Sequence, residues 1–203
     1  MSARTSSDGG RELPEPSATS AVSQDEGCAP ALDPGIPDPL ACIPGTVVLV
    51  SLARQRLVLY RDGVPVAEYP VSTARNGPGK RIGSGCTPRG WHQVRARIGA
   101  GAPVNTVFVR RRPTGETYGP DLACKSPDRD WILTRILWLS GLEPGHNRLG
   151  EVDTFRRFIY IHGTPDVTPL GLPASHGCVR MANADVVALF DQVPAGTRVL
   201  IQE

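Results

Sequence analysis

With 203 residues, 40% of them hydrophobic, the chain is long enough to bury one core, and 22 Gly and 20 Pro point to many turns and short strands. Lysine and arginine number 22 against 20 aspartate and glutamate, and a formal net charge of only +2 argues against a nucleic-acid binder. No run approaches the roughly 18 apolar residues of a membrane span, and no apolar core of roughly 7 to 15 residues, as an export signal requires, is seen near Met1.

Residues 1–44 hold few large apolar side chains and are expected to form a disordered Pro/Gly/Ser-rich tail or linker, since they cannot offset their ordering entropy. One domain is expected over residues 45–203. "TVVLVSLA" and "RLVLY" read as a hairpin, the Asp62-Gly63 pair as a turn, and "VPVAEYPVS" as a third strand. Glycine and proline then mark a loop, residues 73–90, before two further strands, "WHQVRARI" and "NTVFVRR".

The run "DRDWILTRILWLSGLEPGHN" places Ile132, Ile136 and Leu139 at helical spacing, and a buried strand is the alternative over so short a span. "FRRFIYIHG" predicts a strand with Phe158, Tyr160 and His162 on one face. In "NADVVALFDQV", Asn183 is a candidate N-cap, and Val186, Val187, Phe190 and Val193 predict a short helix. "PAGTRVLIQE" closes the chain with a turn and a strand.

Five cysteines leave one unpaired. Cys28 with Cys42, or Cys86 with Cys124, can pair in an oxidising compartment or stay as isolated thiols, and spacing does not decide. Cys178 differs because His162, Ser175, His176 and Gly177 stand within sixteen residues of it. A thiol with a free pKa of about 8.5 needs a base or positive neighbours to become a nucleophile at neutral pH. His162 can approach from across a loop, whereas His176 shares a face with Cys178 if the segment is extended. Gly177 lets a substrate carbonyl come close to the backbone N–H groups that would form an oxyanion hole. His162, His176 and Cys178 are also three possible zinc ligands, but the spacing lacks a paired motif and a fourth ligand. His92 and His146 are expected to be structural.

These residues carry a family resemblance. "HGTPDVTPLGLPASHGCVRM" resembles the signature of the L,D-transpeptidase catalytic domain, the YkuD-like family: a histidine, a loop, then Ser/Thr-His-Gly-Cys, an apolar residue and Arg or Asn. "VSLARQRLVLYRDGVPVAEYPVSTA" is similar to that domain's opening hairpin, "CTPRG" to its Thr-Pro-x-Gly loop and "VPAGTRVLI" to its closing turn and strand, so the resemblance covers about Thr46 to Ile201. It implies a mainly β, sandwich-like domain with one or two short helices. It also implies cysteine-dependent acyl transfer on peptidoglycan stem peptides: the thiolate attacks the third residue's carbonyl, expels terminal D-alanine and passes the thioester to an amine. In these roles Cys178 is the nucleophile, and His162 the proton donor and acceptor, its tautomer held by the Gly163 carbonyl. Backbone N–H groups of His176, Gly177 and Cys178 would stabilise the oxyanion, with Ser175, Arg180 and Tyr160 as loop supports or substrate contacts.

No metal or cofactor is implied. The resemblance further implies thioester formation with carbapenems, a periplasmic or cell-envelope location, a monomer, and stem peptides or an envelope protein as acyl acceptors. A carboxypeptidase or cysteine peptidase using water, and a non-catalytic metal-binding module, are the alternatives. Only twelve residues separate His162 from Ser175, so the loop over the cleft is expected to be short. Arg110 to Arg112 read either as a solvated strand end or as a carboxylate grip, with Tyr118 and Trp131 as further candidates to line the cleft.

Overall fold

A computed structural model describes Leu40 and residues 42–203, so most of the expected tail lies outside the described residues. Among the described residues, ten strands and two α-helices make the fold mainly β. In chain order these are β1 (Thr46–Ser51), β2 (Arg56–Arg61), β3 (Val64–Pro70), β4 (Gly90–Ile98), β5 (Thr106–Val109), β6 (Arg112–Thr117), α1 (Pro120–Lys125), β7 (Leu133–Gly141), β8 (Tyr160–Gly163), β9 (Val179–Met181), α2 (Asn183–Gln192) and β10 (Arg198–Gln202). The ladder runs β3-β2-β1-β10-β4-β7-β5-β6, and a branch leaves β7 through β8 to β9.

One core cluster contains Val48 and Leu57 from β1 and β2, Leu137 and Leu139 from β7, and Ile161 and Val179 from β8 and β9, together with Val186, Leu189 and Phe190 of α2. Strands about 4.8 Å apart could not bring β2 and β9 into one cluster on a flat sheet, so the sheet curls around α2. The curl closes after β3, where Ser72 and Arg180 exchange backbone hydrogen bonds of 2.9 Å in both directions. Its outer side is covered in part by fully buried Leu40, which packs with Val47, Leu49, Val58 and Tyr60.

Four local expectations are corrected. The run with helical spacing is strand β7: Leu137 and Leu139 face the main core while Ile136 packs with Phe108 and Tyr160 on the other side. A strand covered on both faces loses its alternation and mimics a helical pattern. The strand "NTVFVRR" stops at Val109, because Arg110 and Arg111 adopt φ of 48° and 66° and turn the chain into β6. Phe158, with φ of 57°, lies outside β8 and so does not share a strand face with Tyr160 and His162. The N-cap of α2 is Ala182; Asn183 is the first helical residue, and its amide donates to Thr164 O at 2.9 Å. Cys86 and Cys124 are free thiols, as are Cys42 and Cys178; Cys28 lies outside the described residues.

Candidate active site

β8 and β9 pair in parallel, Ile161 with Val179, His162 with Arg180 and Gly163 with Met181. Ile161, Val179 and Met181 belong to the main core, so alternation sends His162 and Arg180 to the opposite face. Tyr160 and Cys178 pack together there as well. Cys178 thus stands one residue ahead of β9, on the face that carries His162, as its diagonal neighbour across the ladder.

The His162 ring is buried, and its Nδ1 lies 2.8 Å from the carbonyl oxygen of Gly163. A carbonyl only accepts, so Nδ1 carries the hydrogen and Nε2 is left with its lone pair. Glycine is required at 163: a Cβ there would lie 2.6 Å from Asn183 Oδ1 and 2.8 Å from Leu133 O. The Cys178 thiol donates to Phe158 O at 3.4 Å and accepts the Tyr160 N–H at 3.4 Å. Burial, opposed by that Tyr160 bond, pushes the thiol up to about 12. Burial also brings His162 down to about 4, against the Gly163 bond and the Asp130 charge, which both raise it. The resting pair is a neutral thiol and a neutral imidazole.

Ser175 shapes the turn between them. Its Oγ accepts the Gly177 N–H at 3.1 Å and donates to Cys178 O at 2.6 Å, while its backbone is tied to Thr73 and Arg75. The Gly177 N–H, expected among the oxyanion donors, is therefore committed to Ser175. Gly177 itself has φ of 134°, and a Cβ on it would come within 3.1 Å of Ile159 Cδ1 and 3.2 Å of Cys86 O. Thr87, of the "CTPRG" segment, holds the same turn by donating from Oγ1 to Gly177 O at 3.0 Å.

His176 does not reach toward the thiol as a base. Its Nδ1 lies 3.0 Å from Asp130 Oδ2 and its Nε2 2.6 Å from the Arg75 guanidinium, so Nδ1 carries the hydrogen and Nε2 accepts from Arg75. Asp130 also receives Arg180 Nη2 at 2.7 Å. Burial alone would raise the Asp130 carboxyl, but the His176 hydrogen bond and the Arg180 charge outweigh it and hold the group below its ordinary value. A cleft of about 540 Å³ opens beside this network, lined by Arg75, Tyr118, Asp130, Trp131, His176 and Arg180 among others. Its lining does not include His162 or Cys178, though the charge of Asp130, which does line it, acts on both.

Asp130 and Arg75 are the site residues that the sequence did not single out. Asp130 sits in an irregular segment distant along the chain from His176 and Arg180, and no local spacing marks it. Of the basic run, Arg111 is half-buried, with its guanidinium 4.6 Å from the centre of the Trp138 ring and a 3.4 Å hydrogen bond to the Tyr160 hydroxyl; Arg110 and Arg112 are exposed. Tyr118 and Trp131 meet edge to face, with ring centres 5.1 Å apart. Among the described residues no three His, Cys, Asp or Glu side chains are grouped to hold a metal ion, and no helix is long and apolar enough to cross a membrane.

The model of the YkuD L,D-transpeptidase catalytic domain matches residues 45–201, and the chain belongs to that family. "Probable L,D-transpeptidase YbiS" of Escherichia coli strain K12 is 31% identical over 164 residues, which is 77% of this chain and 45% of that protein. "Probable L,D-transpeptidase ErfK/SrfK" of Salmonella typhimurium strain LT2 is 31% identical over 166 residues, 78% of this chain and 46% of its own length. The chain thus spans less than half the length of these curated relatives. Among solved structures, an L,D-transpeptidase from Mycobacterium smegmatis aligns with a TM-score of 0.49 at 17% identity, over 78% of this chain and 59% of the other.

Proposed function

We propose that the chain catalyses L,D-transpeptidation on peptidoglycan stem peptides in the cell envelope, with Cys178 as nucleophile and His162 as the group that moves protons. The observation that carries this reading is the shared face of His162 and Cys178, with Nδ1 of the imidazole tied to Gly163 O so that Nε2 is the free base.

Because the resting thiol is neutral, its proton leaves as sulfur attacks. The Sγ–H proton passes to His162 Nε2 while Sγ bonds to the carbonyl carbon of the stem's third residue. The Asp130 charge favours the imidazolium so formed. With Gly177 N–H committed to Ser175, the oxyanion falls to the N–H groups of His176 and Cys178. Collapse of the adduct breaks the C–N bond, and the imidazolium returns its proton to the departing D-alanine amine. An acceptor amine then attacks the thioester, gives its proton to His162 and releases the thiol.

Intact-mass spectrometry tests the assignment. Wild-type protein incubated with a carbapenem is expected to gain the mass of one molecule and Cys178→Ala none; an adduct that survives on Cys178→Ala moves the nucleophile elsewhere. Incubation with tetrapeptide stems identifies the acceptor, since an amine acceptor yields cross-linked dimers and water yields trimmed monomers.

A further inference from the structure

We infer that Arg180 forms the subsite for the free terminal carboxylate of the donor stem, restricting reaction to the last peptide bond; this rests on the acyl-transfer reading of the site. Cys178 and Arg180 lie on one face of the β9 segment two residues apart, a step of roughly 6.6 Å along an extended strand. His162 stands directly across from Arg180 in register. Three points therefore line one face: the sulfur, the imidazole and the guanidinium.

A donor attacked at its penultimate carbonyl presents three matching points. The carbonyl carbon goes to sulfur, and the leaving nitrogen must face the imidazole that protonates it. When the leaving residue is the last one, its carboxylate carbon lies three bonds beyond the attacked carbon, on the order of 3.5 Å away. A charge-assisted hydrogen bond of roughly 2.8 Å then carries it to a guanidinium, and the Arg180 charge is close enough to act on both Cys178 and His162. A longer stem would place a neutral amide there.

Arg180 is suited to this task by its surroundings. It is only 9% exposed, yet it lines the cleft, so its charge acts through a medium poorer in water than the surface. Its counter-ion, Asp130, has a side chain 44% exposed at the cleft. Nη1 makes only a long 3.4 Å contact with Ala174 O, and Nε is buried without a hydrogen-bond partner. The long Nη1 contact is the one that a substrate carboxylate replaces, while Asp130 keeps Nη2. Arg75 and Arg129 add positive charge along the same cleft, and Asp128 with Asp130 opposes it.

The test compares one tetrapeptide donor ending in a carboxylate with the same peptide ending in a carboxamide. Wild-type kcat/KM is expected to fall about 10- to 100-fold for the amide, mainly through KM, as for loss of a hydrogen bond to a charged group. Arg180→Gln should bring the acid-to-amide ratio close to one, with Arg180→Lys retaining part of the preference. Equal turnover of acid and amide by wild type overturns the inference and leaves acyl transfer standing. Undiminished discrimination in Arg180→Gln also overturns it, by assigning the carboxylate to another residue. No turnover of either peptide by wild type overturns the reading of the site, and the inference with it.

Discussion

The Cys178 thiol and the His162 imidazole share one face of adjacent parallel strands, yet at rest the thiol proton is directed to the carbonyl of Phe158. Burial holds both groups neutral, the thiol near 12 and the imidazole near 4. A preformed thiolate–imidazolium pair would require the opposite order of the two values.

Cys178 should therefore lack a low-pH plateau of thiolate reactivity. Alkylation of Cys178 by iodoacetamide, followed by peptide mapping to separate it from Cys42, Cys86 and Cys124, is expected to rise about tenfold per pH unit from 7 to 10. A rate already flat between pH 6 and 8 would show a stabilised thiolate and sink this account.

His162 and His92 are both buried and both lowered to about 4 by that burial. The unfolded chain takes up these protons near pH 6.5, whereas the folded chain resists until about pH 4. Stability is thus fully present above pH 6.5 and is lost as pH falls through that window, by about 3 kcal/mol for each histidine. Urea unfolding at a series of pH values checks the slope, and His92→Gln should flatten it by roughly half.

His176 and His162 should differ sharply on substitution. Both His176 nitrogens are engaged by Asp130 and Arg75, so His176→Ala is expected to lower kcat by less than about tenfold, while His162→Ala should lower it by 10²- to 10⁴-fold, the range of a general base. Steady-state kinetics on stem peptide measures both. Comparable losses would give His176 a role in proton transfer.

Ser175→Ala removes the hydroxyl that joins the Gly177 N–H to the Cys178 carbonyl inside a buried turn. A loss of about 1–3 kcal/mol in stability is expected, with activity reduced far less than by Cys178→Ala. Gly177→Ala is the harsher change. At φ of 134° and with two contacts near 3.1 and 3.2 Å, the turn has to shift, and carbapenem adduct formation should slow with it. Thermal melts alongside adduct kinetics separate the two effects.

His162, Gly163, Ser175, His176, Gly177 and Cys178 were legible because their chemistry is local: a residue type at a short spacing, on a strand end or in a tight turn. The opening hairpin and α2 were legible because one buried face writes its period into the sequence. Strand β7 was not, because burial on both faces erases that period. Strand β6 was missed because Arg112–Thr117 carries almost no apolar side chain and leans on β5 alone.

The sequence by itself determined the candidate reactive groups and the turn that holds them, since a thiol, an imidazole and a glycine act through their own bonds and conformational range. The tertiary structure decided the protonation of the pair and the partners of His176 and Arg180. Those depend on burial and on Asp130 and Arg75, brought in from distant loops by the curl of the sheet, and electrostatic energy follows distance in space and not along the chain.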